Sequence, residues 1–129
     1  MARVLLIEDN PEQSEIYSKL LYYNGFETDC ATTAEEGLLI VEARPPDVIL
    51  VDVGLPGIDG LLATTLFKHT PSTESIPVIC FSAYDVPPGA IRRAGADDFL
   101  RKPLTGDVMV RAIRRLIGWH DEQLPSEPA

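Results

Sequence analysis

Cysteine, tryptophan and histidine are scarce in this chain, at two, one and two among 129 residues. Cys30 and Cys80 both stand in apolar, strand-like surroundings. They are expected to be buried free thiols of a reducing compartment rather than a disulfide. His69 and His120 lie far apart, with no cysteine at ligand spacing, which argues against zinc. No apolar run approaches the roughly 18–20 residues needed to span a bilayer, so no membrane partner is expected. Met1-Ala2-Arg3 leads straight into an apolar run with acids behind it, unlike a secretory signal, and the cytoplasm is the expected compartment. Gly/Ser linkers and internal repeats are missing too, so one domain is expected. Basic residues are outnumbered, 11 against 20 acids, for a net charge of −9. Such an acidic body argues against direct nucleic-acid binding.

The few basic groups are unevenly placed. Residues 1–91 hold 4 basic and 14 acidic groups, whereas residues 92–120 hold 7 and 3. The basic stretch reads either as a solvated face or as a protein-docking face.

Apolar periodicity divides the rest. Val4-Leu5-Leu6-Ile7 and Val48-Ile49-Leu50-Val51 are continuous runs suited to strands buried on both faces. Asn10 reads as an N-cap with Pro11 at the first helical position and Gln13 at capping-box spacing. Ile16, Leu20 and Tyr23 mark a helical face that stops at Gly25. Phe26 to Cys30 alternates like a strand near a sheet edge, and Thr32 and Thr33 start a second helix running to about Ala43. Leu55-Pro56-Gly57 is a turn before a helix carrying Leu61, Leu62 and Leu66. Pro77 to Phe81 and Asp98 to Leu100 are the last two strand candidates. Thr105 caps a final helix with Val108, Ala112 and Leu116 on one face, ending at Gly118. Strand and helix thus alternate five times, which predicts an α/β fold: a flavodoxin-like, doubly wound parallel sheet of order 2-1-3-4-5. Its ligand crevice would lie beyond the carboxyl ends of the strands.

Four groups stand at those ends. Glu8 and Asp9 follow the first strand, Asp52 ends the third, Ser82-Ala83 follows the fourth and Lys102-Pro103 the fifth. Two unit charges about 4 Å apart repel by about 1 kcal/mol in water and about 4 at an effective dielectric near 20. Three carboxylates in one crevice therefore need a cation or shifted protonation. Mg²⁺ prefers oxygen ligands and commonly takes one or two carboxylates beside a phosphate oxygen. The metal and Lys102 would offset charge on an incoming phosphoryl group, with Asp52 as the nucleophile.

These residues carry a family resemblance. Val4 to Asn10, Val48 to Asp52, Leu55-Pro56-Gly57-Ile58-Asp59-Gly60, Phe81-Ser82-Ala83, Gly95 to Leu100 and Lys102-Pro103 together resemble the response-regulator receiver domain of two-component signalling. The resemblance spans residues 3 to about 117. It implies that Asp52 is the phosphoacceptor, served by a sensor histidine kinase, a histidine phosphotransfer protein or a small donor such as acetyl phosphate. By the same resemblance Asp9 ligates Mg²⁺ directly, Glu8 reaches it through water, and the Gly54 carbonyl supplies a backbone ligand. Ser82 and Lys102 contact the phosphoryl group, Phe99 is the switch aromatic, and Pro103 follows a cis peptide bond. The implied role is a phosphorelay switch, not a conventional enzyme, that assists its own phosphorylation and dephosphorylation.

Some features depart from the family pattern. Glu8 replaces the commoner aspartate. Ser82 and Lys102 are closer in sequence than usual by about two residues, so the fourth helix is expected to be short or irregular. Output would pass by docking to a downstream protein, through the face of fourth helix, fifth strand and fifth helix where Arg92, Arg93, Arg101, Arg111, Arg114 and Arg115 gather. A homodimer stays open. The receiver domain is assigned to residues 1–118, and the acidic segment 119–129 is expected to be disordered.

Three rivals share parts of this pattern. A haloacid-dehalogenase-type phosphatase would want a second aspartate where Gly54 stands, and a substrate-selecting cap. A flavin mononucleotide carrier would want hydroxyls and amides, not Glu8 and Asp9, after the first strand. A receiver-shaped interaction module that is never phosphorylated is the strongest rival, opposed by the intact set of acids, Ser82 and Lys102.

Overall fold

In the computed structural model, which describes residues 1–118, strand and helix alternate throughout. The elements are β1 (Arg3–Ile7), α1 (Pro11–Tyr23), β2 (Glu27–Ala31), α2 (Ala34–Ala43), β3 (Val48–Asp52), α3 (Gly60–Lys68), β4 (Val78–Ser82), α4 (Pro88–Ala94), β5 (Asp98–Arg101) and α5 (Gly106–Ile117). The strands form one parallel sheet in the expected order, β2-β1-β3-β4-β5. Residues 119–129, expected to be disordered, lie outside the described residues.

The two continuous apolar runs form the centre of the sheet, and all five residues of β3 are buried. Because strand side chains alternate, each run feeds two cores. Val4, Leu6, Leu50 and Phe81 meet Leu21, Met109 and Ile113 on the α1 and α5 side. Leu5, Ile7, Ile49, Val51 and Cys80 meet Val41, Ala63 and Phe67 on the α2 and α3 side. Burial pushes the Cys80 thiol up to about 11, so it acts as a small apolar filler.

Capping residues set the helix starts as expected. Asn10, Thr33 and Thr105 each accept a backbone N–H from three residues on, and Asp59 does the same for α3. The fourth helix is short, seven residues, and has no side-chain cap. It ends at Gly95, whose φ of 88° is left-handed backbone suited to glycine.

Helix faces depart from expectation. In α1 the buried residues are Tyr17 and Leu21, while Ile16 and Tyr23 are exposed. In α3 they are Gly60, Ala63, Thr64 and Phe67, with Leu62 and Leu66 outside. In α5 Met109, Val110 and Ile113 join Ala112 inside, whereas Val108 is exposed. Each helix carries apolar residues on two neighbouring stripes. The stripe that faces the sheet is the buried one, as with Tyr17, which meets the Phe81 ring edge-on at 6.0 Å. Cys30 likewise overturns its expectation: it is exposed, because β2 is an edge strand, and its Sγ lies 3.0 Å from the Ser18 hydroxyl.

Candidate functional site

Register brings the strand-end groups together. Ile7 pairs with Val51, so Glu8 emerges level with Asp52, and Asp52 in turn pairs with Phe81, one residue before Ser82. Ser82 pairs with Arg101, which sets Lys102 at the same edge. Lys102 N–H donates to the Ser82 carbonyl at 2.8 Å, and the Lys102–Pro103 bond is cis.

Glu8, Asp9 and Asp52 form a carboxylate cluster whose ligand oxygens lie within 4.8 Å of one another. Asp9 is exposed, whereas Glu8 is 1% and Asp52 6% exposed. Lys102 Nζ donates to Glu8 Oε1 at 2.8 Å, to Asp52 Oδ2 at 3.0 Å and to Gln13 Oε1 at 2.6 Å. It also stands 5.3 Å from the centre of the Phe81 ring. Gly54 N–H donates to Asp52 Oδ1 at 2.8 Å, so the Asp52 carboxylate is held at both oxygens.

The Glu8 carboxyl is raised from 4.5 to about 7. Burial is the main cause; Asp52 adds to it, while bonds from Lys102 and the Asn10 N–H oppose it. Burial alone would lower Lys102, but its bonds to Glu8 and Asp52 outweigh that and hold it above its ordinary value. A divalent cation fits this donor set, since hard cations take oxygen ligands and would relieve the acid–acid repulsion.

Of the remaining expected residues, Ser82 stands at the same sheet edge and Phe99 lies within β5. Ser82 is fully buried and its Oγ accepts from Tyr84 N–H at 3.0 Å. Phe99, paired with Cys80, is half-buried and packs against the core on the α2 and α3 side. Three contributors escaped the sequence reading. Gln13 stands at capping-box spacing, yet only its backbone N–H serves Asn10, at 3.0 Å, and its amide reaches Lys102 instead. Tyr84 leans over the site, its hydroxyl 3.3 Å from where a Cβ on Gly54 would sit. Gly60 lies so close beneath Asp52 that a Cβ there would meet the Asp52 carbonyl oxygen at 2.3 Å. Only the Asp59-Gly60 pair offered a sequence signal for that contact.

Comparison with known proteins points to one family. The response regulator receiver domain family matches residues 4–114. Protein PilH of Pseudomonas aeruginosa is 29% identical over 119 residues, which cover 91% of this chain and 98% of PilH. Response regulator PleD of Caulobacter vibrioides is 31% identical over 117 residues, 89% of this chain but only 26% of PleD. The chain therefore spans nearly all of one relative and about a quarter of another. Among solved structures, the receiver domain of a sensor histidine kinase from Pseudomonas aeruginosa, with a magnesium ion coordinated in its active site cleft, is 27% identical with a TM-score of 0.83. That match covers 92% of this chain and 98% of the other. With its sheet order, its strand-end acids and this match over nearly the whole described chain, the protein belongs to the response regulator receiver domain family.

Proposed function

We propose that the chain is a phosphorylation-driven switch in which Asp52 accepts a phosphoryl group and the altered surface is read by a partner protein. The carrying observation is the shared ammonium: Lys102 bridges Asp52 and Glu8 within the three-acid cluster. In the transfer, an Asp52 carboxylate oxygen bonds to phosphorus as the donor's P–N bond breaks, and the electron pair leaves with the imidazole of a phosphohistidine. With acetyl phosphate the P–O bond breaks and acetate leaves.

The chain's own residues divide the work. Gly54 N–H and Lys102 hold the two Asp52 oxygens, fixing the carboxylate plane before the donor arrives. Lys102 offsets charge on the phosphoryl oxygens. Ser82 already accepts from Tyr84 N–H, which leaves its hydroxyl hydrogen to donate to a phosphoryl oxygen. Asp9, Asp52 and the Gly54 carbonyl would hold Mg²⁺, with Glu8 reaching it through water. The metal would supply positive charge that offsets both the acid cluster and the incoming phosphate. The donor would be a histidine kinase or a histidine phosphotransfer protein, consistent with membership in a two-component signalling family.

Intact-mass measurement after incubation with acetyl phosphate and Mg²⁺ tests the reading. Wild type is expected to gain one phosphoryl group and Asp52→Asn none. Equal labelling of the variant would place the acceptor elsewhere. An unlabelled wild type would favour the phosphorylation-independent module.

A further inference from the structure

We infer that Gln13 is a positioning residue for Lys102, anchoring its ammonium so that it can pass from the Asp52 carboxylate to the phosphoryl group. The inference rests on the reading of Asp52 as phosphoacceptor.

The capping geometry of α1 frees the Gln13 amide for this task. A capping box would send the Gln13 side chain back to Asn10 N–H. Here Glu8 Oε2 accepts that N–H at 3.3 Å instead. The half-buried Gln13 side chain turns to Lys102, making the shortest of the three contacts to Nζ. An ammonium has three hydrogens, and Glu8, Asp52 and Gln13 take one each.

These three acceptors are not equivalent. Glu8 and Asp52 belong to the acid cluster, whereas Gln13 is a neutral amide. Forming the acyl phosphate on Asp52 and filling the acid cluster with a cation would both weaken the hold of Asp52 and Glu8 on Lys102, because the first removes the Asp52 charge and the second would offset that of Glu8. The amide oxygen of Gln13 is the acceptor that neither event claims. Lysine carries its charge on a flexible four-carbon stem, so its direction depends on what holds the end. With Gln13 in place, Nζ pivots about one fixed contact above the Phe81 ring rather than drifting into solvent. Asp52 attack on phosphorus, with loss of acetate or imidazole, is unchanged in its bond balance; Gln13 acts only through Lys102.

The test replaces Gln13 by Leu and by Glu, both good helix formers that leave the backbone bond to Asn10 Oδ1 intact. Phosphorylation by acetyl phosphate at saturating Mg²⁺ is followed by intact mass, separating the maximal rate from half-saturation in donor. The Lys102 Nζ proton signal is followed by ¹⁵N NMR in the same samples. For Gln13→Leu we expect an about tenfold lower maximal rate, fast solvent exchange of the Lys102 ammonium protons and Mg²⁺ affinity within about twofold of wild type. Gln13→Glu, which keeps an oxygen acceptor, should retain the slowly exchanging signal. The inference is overturned if Gln13→Leu keeps both the signal and the rate, or if either changes without the other. Were wild type itself not phosphorylated, the functional reading would fail. The NMR signal would then decide alone whether Gln13 anchors Lys102.

Discussion

Glu8 and Asp52 hold one ammonium between them: Lys102 Nζ lies 2.8 Å from Glu8 Oε1 and 3.0 Å from Asp52 Oδ2. Neither contact removes the strain of burying Glu8, whose carboxyl stands near 7. A carboxyl whose native pKa lies above its unfolded value binds its proton more tightly in the native state. This contribution to stability is full below about pH 4.5 and lost as pH rises through about 7. Urea unfolding without metal should therefore show stability falling across that window by a few kcal/mol at most, since one titrating group changes it by no more than about 1.4 kcal/mol for each step of one in pH. Glu8→Gln should flatten the fall. An unchanged profile in that variant would mean another group titrates.

Metal affinity should separate the two neighbouring acids. Asp9 is exposed at the cluster's rim, while Glu8 is engaged by Lys102 and the Asn10 N–H. Asp9→Ala should abolish measurable Mg²⁺ binding. Glu8→Gln should weaken it about 10- to 100-fold, as loss of an outer partner does. Isothermal titration with MgCl₂ reads both, and unchanged affinity in Asp9→Ala would overturn the ligand assignment.

Gly60 packs beneath Asp52, the proposed phosphoacceptor. Adding a methyl there forces the Asp52 and Val53 backbone aside, since the new Cβ would lie 2.3 Å from the Asp52 carbonyl oxygen. Gly60→Ala should destabilise by about 1–3 kcal/mol, despite alanine's better helix propensity. It should also slow phosphorylation by misplacing Asp52. Denaturant melts and acetyl phosphate labelling measure the two effects, and a stabilised, fully active variant would contradict them.

The inner stripe of α1 can be checked by truncation. Leu21→Ala removes a fully buried side chain and should cost about 2–5 kcal/mol. Ile16→Ala lies on the exposed stripe and should change stability by no more than about 0.5 kcal/mol. Reversed magnitudes in chemical denaturation would restore the face that the spacing first suggested.

Output is expected to travel through Phe99. Its ring is half-buried on β5, and Asp98 beside it pairs with Arg115 of α5. Beryllofluoride, a phosphoryl mimic, added to the Mg²⁺ form should shift NMR signals at Phe99 and within residues 105–117. Coupling to a partner on this face would be about 1–3 kcal/mol. Shifts confined to the Asp52 crevice would show that this face is not the output.

Alternation of strand and helix, sheet order and the strand-end placement of Glu8, Asp9, Asp52, Ser82 and Lys102 were all legible in the order of residues. Those features depend on short-range information: continuous apolar runs, caps and turns, then the handedness of parallel crossovers. Packing in three dimensions chose which of two apolar stripes each helix buries, because both satisfy the helical period and only the facing sheet distinguishes them. It exposed Cys30, whose alternating strand marked a sheet edge but not which of its residues that edge would leave uncovered. It also took Gln13 from a local cap to a site contact with Lys102, 89 residues away. That partner exists only once β1 and β5 deliver Glu8 and Lys102 to one edge, since a side-chain amide bonds whichever acceptor or donor the fold brings within about 3 Å.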